Sequence, residues 1–170
     1  MSKYNVKELE SLIKQMLSDH RYKHSLNVAD LASKLAKAHG FDEEKAYVAG
    51  LLHDVTKEFD EDWQNDYLRK HNDLDKLNYP FKVKHSFTSK YYIKDELKID
   101  DEDILDATYN HTICNSNKDI CKILYIADKR EVGRNLDNDV IELSLKDLDA
   151  GYKEAKRQVE EWLKEKENGR

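Results

Sequence analysis

Apolar residues recur at three- and four-residue spacing along almost the whole chain, and no stretch alternates Val, Ile or Thr with polar residues as a half-buried strand would. The pattern predicts an all-α architecture. A first helix is expected near 5–19, with Val6, Leu9, Leu12, Ile13, Met16 and Leu17 on one side. A second, near 22–38, turns Leu26, Val28, Ala29, Leu31, Ala32, Leu35 and Ala36 inward, and Gly40 supplies its C-terminal stop. Asp42 then reads as the N-cap of a third helix running through Ala46, Ala49, Gly50 and His53, whose small residues let a neighbouring helix approach closely. Leu51, Leu52 and Val55 fall elsewhere around that helix, so it is expected near the centre.

Further helices are predicted near 60–70, 84–97, 102–111, 118–131 and 144–166, with 71–82 and its Pro80 as the most loop-like segment. In the last helix Leu145, Leu148, Tyr152, Ala155, Val159, Trp162 and Leu163 lie near a/d spacing. They are expected to pack back on the chain's own core, with a homodimer seam as the alternative. The tail from Lys164 onward reads as solvated. At 170 residues the chain suits one domain spanning 1–170. No window approaches the length of a membrane span and the N-terminus lacks the apolar run of a signal peptide, so a soluble, cytoplasmic protein is expected. A net charge of -6 offers nucleic acid no general attraction, so no nucleic-acid partner is expected. Cys114 and Cys121 are too few for a disulfide scaffold and read as buried thiols.

The chemistry lies in polar residues on apolar faces. Asp54 follows His53 at the end of the run AGLLHD, where a buried carboxylate without a partner costs roughly several kcal/mol. His24 stands one turn before Val28, so its ring points inward. Asp128 stands one turn after Leu124 on the stripe of Ile120, Ile123, Leu124 and Ala127. His111 shares a face with Ile104 and Thr108, and His85 one with Ser89 and Tyr92. Taken singly, each histidine is an ordinary hydrogen-bonded core residue; four histidines and two aspartates together point to a shared site. His20, His39 and His71 sit at helix ends or in the loop and are set aside as surface or capping residues. No glutamate lies between His20 and His24 as a zinc-protease helix requires.

The order His24, His53-Asp54, His85, His111, Asp128 resembles the HD-domain metal phosphohydrolase superfamily, in which an adjacent His-Asp pair and a distant Asp close a metal site. Over roughly residues 20–140 the chain is similar to its YqeK-type members, hydrolases that cleave diadenosine tetraphosphate symmetrically. The similarity is carried by His24 with Val28 and Ala29, His53-Asp54 with Lys57, His111-Thr112, and Ala127-Asp128 followed by Glu131 and Arg134. It departs at Ser86-Phe87, where those members tend to have Gly-Pro, at Cys114, where they tend to have Gly, and at Val132, a usual Pro position; these bear on the pocket walls.

The resemblance implies an HD-domain helical bundle with a dinuclear centre. Asp54 would bridge, with His24, His53 and Asp128 on one metal and His85 and His111 on the other. Imidazoles with a few carboxylates suit Fe, Mn, Zn or Co better than Mg or Ca, and the resemblance implies iron. Two cations about 3.5 to 4 Å apart would make a bridging water reactive toward phosphorus. Asp54 and Lys57 are the expected catalytic residues, Lys57 by stabilising nonbridging oxygens; Lys57 and Arg134 are the expected substrate contacts. The expected reaction gives two ADP from diadenosine tetraphosphate, with ADP or GDP as product-like ligands. A phosphatase of other nucleotide range, or a non-catalytic nucleotide-sensing module, are the alternatives.

Overall fold

Capping side chains punctuate the computed structural model, which describes residues 2–169. Asn5 opens α1 (Val6–Met16), Ser18 opens α2 (Asp19–Ala38), and Asp42 opens α3 (Glu43–Leu52), each accepting a backbone N–H three residues on. Asp60 does the same for α4 (Glu61–Lys70). A short 3-10 turn (Leu74–Asn78) leads through Pro80 into α5 (Phe81–Asp95), followed by α6 (Glu102–Tyr109) and α7 (Asp119–Arg130). The chain closes with a 3-10 turn at Val132–Arg134, α8 (Asp139–Lys146) and α9 (Leu148–Glu167). No strand occurs among the described residues, so the all-α expectation holds.

The core is a layer of α2, α3, α6 and α7 built on Val28, Ala29, Ala32, Leu35, Ala46, Ala49, Leu52, Ile104, Ile123 and Leu124. Gly50 sets the spacing of its central pair. A Cβ there would meet the Ala29 Cα at 2.7 Å, so α2 and α3 approach to a distance that only glycine permits. That close approach brings His24 and His53 within reach of each other, their ring centroids 5.3 Å apart.

A second, aromatic cluster joins α4 to α5 through Trp63 stacked on Tyr67 and His71 stacked on Tyr91. Between the two clusters runs a buried polar network. The Thr56 hydroxyl lies 3.2 Å from the His85 carbonyl and 2.8 Å from the hydroxyls of Thr88 and Ser89, and Gln64 Nε2 donates to the Thr56 carbonyl at 2.7 Å. It ties the turn after Asp54 to α5, which fixes His85 relative to Asp54.

Four expectations shift. The third helix stops at Leu52: His53 is its C-cap, and residues 53–59 form successive turns closed by Lys57 N–H to the Asp54 carbonyl at 2.9 Å. The expected helix at 144–166 is two, because Asp147 leaves helical geometry (φ -145, ψ 102) and caps α9 by accepting from Ala150 N–H. Apolar spacing runs across that break and hides it. On α9, Leu148, Gly151 and Ala155 do pack back, but Trp162 is 53% exposed and Leu163 is exposed with it, as is Leu145 on α8. His39 and His71 cap α2 and α4 as expected but are half-buried; His39 Nε2–H donates to the Ser144 carbonyl at 2.6 Å and His71 pairs with Asp95.

No helix among the described residues is long and apolar enough to cross a membrane.

Candidate metal and active site

His24 from α2, His53 and Asp54 from the end of α3, His85 from α5, His111 just past α6 and Asp128 from α7 meet at one point. Each is at most 5% exposed. Asp54 stands at the centre with its two oxygens facing opposite ways. Its Oδ2 lies 3.6 Å from His24 Nε2 and 3.4 Å from His53 Nε2; its Oδ1 lies 3.1 Å from His85 Nε2 and 3.4 Å from His111 Nε2. Asp128 Oδ1 closes the first side, 3.0 Å from His24 Nε2 and 3.4 Å from His53 Nε2.

The other ring nitrogens decide what these contacts are. His53 Nδ1–H donates to the Gly50 carbonyl at 2.6 Å, and His111 Nδ1–H to the Thr108 carbonyl at 2.7 Å. In the neutral rings Nε2 is therefore a lone pair, aimed at carboxylate oxygen. Lone pair against lone pair repels unless a proton or a cation sits between them. His53 Nε2 has no hydrogen-bond partner despite full burial, and the Nε2 atoms of His85 and His111 are only 3.1 Å apart. Donors within 4.8 Å of one another group as His24, His53 and Asp128, and as His53, Asp54 and His111. This donor set fits a divalent transition metal, with neutral imidazoles oriented through their far nitrogens as metal ligands require.

Electrostatics divides the site. Burial opposes charge on Asp54, yet His53 beside it and the imidazoles of His111 and His85 against its Oδ1 hold its carboxyl well below the usual range. Asp128 is likewise held low against burial, by the Lys129 ammonium, 2.9 Å from Oδ2, and by His24 and His53. Burial works against the charge of His53 as well, but Asp54 and Asp128 outweigh it and raise its pKa. Burial wins at His85, pushed down to about 4, and at His111, also lowered.

Glu131, Arg21 and Lys129 complete the surroundings. Buried Glu131 accepts from His24 Nδ1–H at 2.7 Å, from Asn27 Nδ2 at 3.1 Å and from Gly133 N–H. Arg21 donates to Asp54 Oδ2 at 3.1 Å. A signal for both was present in the sequence, since Arg21 precedes His24, and Glu131 follows Asp128, by one helical turn. Of the expected substrate contacts, Arg134 reaches Asp128 Oδ1 at 3.4 Å and its carbonyl at 3.0 Å, while the half-buried Lys57 ammonium meets, among the described residues, only the Lys82 carbonyl at 3.5 Å. Arg21, Lys57, Lys129 and Arg134 thus put cations around a buried centre in a protein of net charge -6.

The departures are absorbed locally. Ser86 donates to the Val83 carbonyl at 2.8 Å, Phe87 packs against Tyr79 and Tyr109, and Cys114 holds a left-handed backbone (φ 51) with its Sγ 2.7 Å from the Tyr152 hydroxyl.

Residues 21–133 match the family model of the HD domain. Among curated proteins, the chain is 36% identical over 125 residues to the symmetrical bis(5'-nucleosyl)-tetraphosphatase of Halalkalibacterium halodurans, covering 72% of this chain and 67% of that protein. It is 34% identical over 136 residues to the protein of the same name from Staphylococcus aureus, covering 78% and 69%. A crystal structure of a predicted HD superfamily hydrolase involved in NAD metabolism, from Clostridium acetobutylicum, superposes with a TM-score of 0.83 at 27% identity, covering 97% of this chain and 90% of that one. The His-Asp centre therefore stands in the setting its residues pointed to, and the chain belongs to the HD domain family.

Proposed function

We propose that this protein is a metal-dependent hydrolase of diadenosine tetraphosphate, cleaving it at the central phosphoanhydride to two ADP. The observation that carries the reading is the convergence of four imidazole Nε2 atoms on a carboxylate whose two oxygens face different pairs of them. The choice of substrate rests on the name shared by the tetraphosphatase relatives. His24, His53 and Asp128 would hold one cation, His85 and His111 a second, with the Asp54 carboxylate shared between the two sets. Iron is our assignment, with Mn, Zn and Co compatible with the same donors. Bound there, the metal pair supplies Lewis acidity that makes a water nucleophilic near neutral pH and offsets charge at the attacked phosphorus.

The chain's own residues hold the substrate. Burial lowers the Lys57 pKa, so its ammonium gains when a nonbridging phosphate oxygen replaces lost water. Arg134 grips a phosphate bidentately, and Arg21 guards the Asp54 charge at the mouth. The bond that breaks joins the attacked phosphorus to the central bridging oxygen, which leaves on the second ADP. The free, buried thiols Cys114 and Cys121 fit a reducing cytoplasm.

Anaerobic purification, metal quantification and product analysis test the reading together. A metal pair per chain, and ADP as the nucleotide product, are expected. ATP with AMP as products, or a preference for nucleoside monophosphates, overturns the assigned substrate.

A further inference from the structure

Beyond the metal centre, Lys129, Arg130, Arg134, Leu136, Gln158 and Trp162 line a cavity of about 550 Å³ between the end of α7, the turn that follows it and α9. Arg130 is its unusual member. It follows Asp128 by two residues, about 200° around the helix, so it faces away from the imidazoles. It is only 5% exposed, yet its guanidinium makes no hydrogen bond or ion pair among the described residues. Glu154, on the facing helix, gives its carboxylate to Arg157 at 2.7 and 3.0 Å and to Gln158 at 3.0 Å instead. Glu154 feels the Arg130 charge without touching it, and a guanidinium held this far from water with no direct acceptor, facing a cavity, is a place for an anion.

Two neighbours connect the cavity to the metal centre. Lys129 Nζ is 2.9 Å from Asp128 Oδ2 and Arg134 Nη2 is 3.4 Å from Oδ1, while both side chains line the cavity. Lys129 and Arg134 thus touch both the centre and the cavity that Arg130 lines. Farther out stands Trp162, 53% exposed, with the Lys166 ammonium 4.3 Å from its ring centroid, and Leu136, 52% exposed, beside the same cavity. An exposed indole beside a cationic floor is a platform for a nucleobase, with Gln158 to meet its polar edge.

We infer that this cavity binds one nucleoside diphosphate arm of the substrate, Arg130 holding the phosphate next to the ribose and Trp162 stacking on the base. The inference rests on the hydrolase reading above and names the subsite that reading lacks. It gives the arm that does not enter the metal centre its own cationic and aromatic contacts.

Fluorescence reads the site without turnover. Trp63, the other tryptophan, packs between Phe59 and Tyr67, so Trp63→Phe leaves Trp162 as the sole indole emitter. In that background ADP is expected to quench Trp162 saturably and inorganic phosphate to compete with it. Arg130→Gln should weaken ADP about tenfold or more, the loss of one charge-assisted hydrogen bond, with Arg130→Lys falling between. Trp162→Ala and Arg130→Gln should each raise KM for diadenosine tetraphosphate more than they lower kcat. Circular dichroism and metal content matching the parent show that the variants fold.

No quench by ADP, or a quench indifferent to Arg130→Gln, sinks the inference while leaving the hydrolase reading intact. An intact quench with unchanged KM in both variants makes the cavity a nucleotide site apart from the substrate and overturns the arm assignment. A parent chain that binds ADP through Arg130 but cleaves no diadenosine tetraphosphate overturns the hydrolase reading and upholds only the nucleotide site.

Discussion

On the Oδ2 side of Asp54 the imidazoles are braced through their far nitrogens, His24 by Glu131 and His53 by the Gly50 carbonyl, and a second carboxylate, Asp128, faces the same space. On the Oδ1 side, among the described residues, only His111 is braced, by the Thr108 carbonyl; His85 Nδ1 is buried with no partner, and Asp54 is the only carboxylate that approaches. The difference teaches where metal affinity resides. An imidazole that donates its far N–H is fixed in tautomer and made more basic, and each added carboxylate lowers the charge a cation must leave uncompensated. The Oδ2 side is expected to hold metal tightly and the Oδ1 side to exchange it.

The largest effect erases both positions at once. Asp54→Ala removes the oxygens that face each pair of imidazoles. Metal content is expected to fall toward zero and turnover by at least about a thousandfold, several kcal/mol of transition-state stabilisation. Turnover that survives in a folded Asp54→Ala chain refutes the bridge. One step down, His85→Ala and His111→Ala should leave about one ion per chain where the parent holds a pair, while His24→Ala and Asp128→Ala lower the affinity of the ion that remains hardest to strip. Chelator titration followed by metal analysis distinguishes them. If His24→Ala and His85→Ala release metal alike, the two sides are equivalent and the comparison fails.

How far this asymmetry was legible depends on the kind of signal each residue leaves. His24, His111 and Asp128 betrayed themselves by standing on apolar helix faces, and Gly50 by its place in a run of small residues, because helical periodicity projects directly from sequence to packing. Glu131 and Arg21 lay one turn from those residues and were readable in principle. The Thr56, Gln64, Thr88 and Ser89 network was not, since hydroxyls pairing across three separate segments follow no period. Nor was the unpaired Nδ1 of His85, which is a property of neighbours rather than of spacing. The end of α3 before His53 and the break at Asp147 escaped for a related reason: apolar spacing continues through both while the backbone turns.

Glu131 sharpens the contrast by weakening one side only. Glu131→Ala leaves every proposed metal ligand in place but frees His24 to rotate and to change tautomer. Loss of such a bracing partner lowers metal affinity about 10–100-fold. Competition with a coloured chelator should show that loss at the tight position, with the exchangeable ion unaffected. Equal weakening of both ions assigns Glu131 a merely structural role.

The smallest effect concerns protons in the metal-stripped protein, where the two sides carry opposite signs. His85 is pushed by burial to about 4, below the ordinary 6.5 of an unfolded chain, so the unfolded state takes up the proton first. Its neutral form contributes stability above pH 6.5 that is lost as pH falls through about 4. His53 is raised, against burial, by Asp54 and Asp128, so its contribution is full below pH 6.5 and is lost as pH rises through its folded value. Each slope is at most about 1.4 kcal/mol per pH unit, the weight of one proton. In urea unfolding at a series of pH values, His85→Asn should flatten the loss of stability as pH falls from 6.5 to 4, and His53→Asn should flatten the loss as pH rises above 6.5, leaving the lower window unchanged. If both variants change the profile in the same pH window, the two sides share one protonation behaviour and the division at Asp54 is not electrostatic.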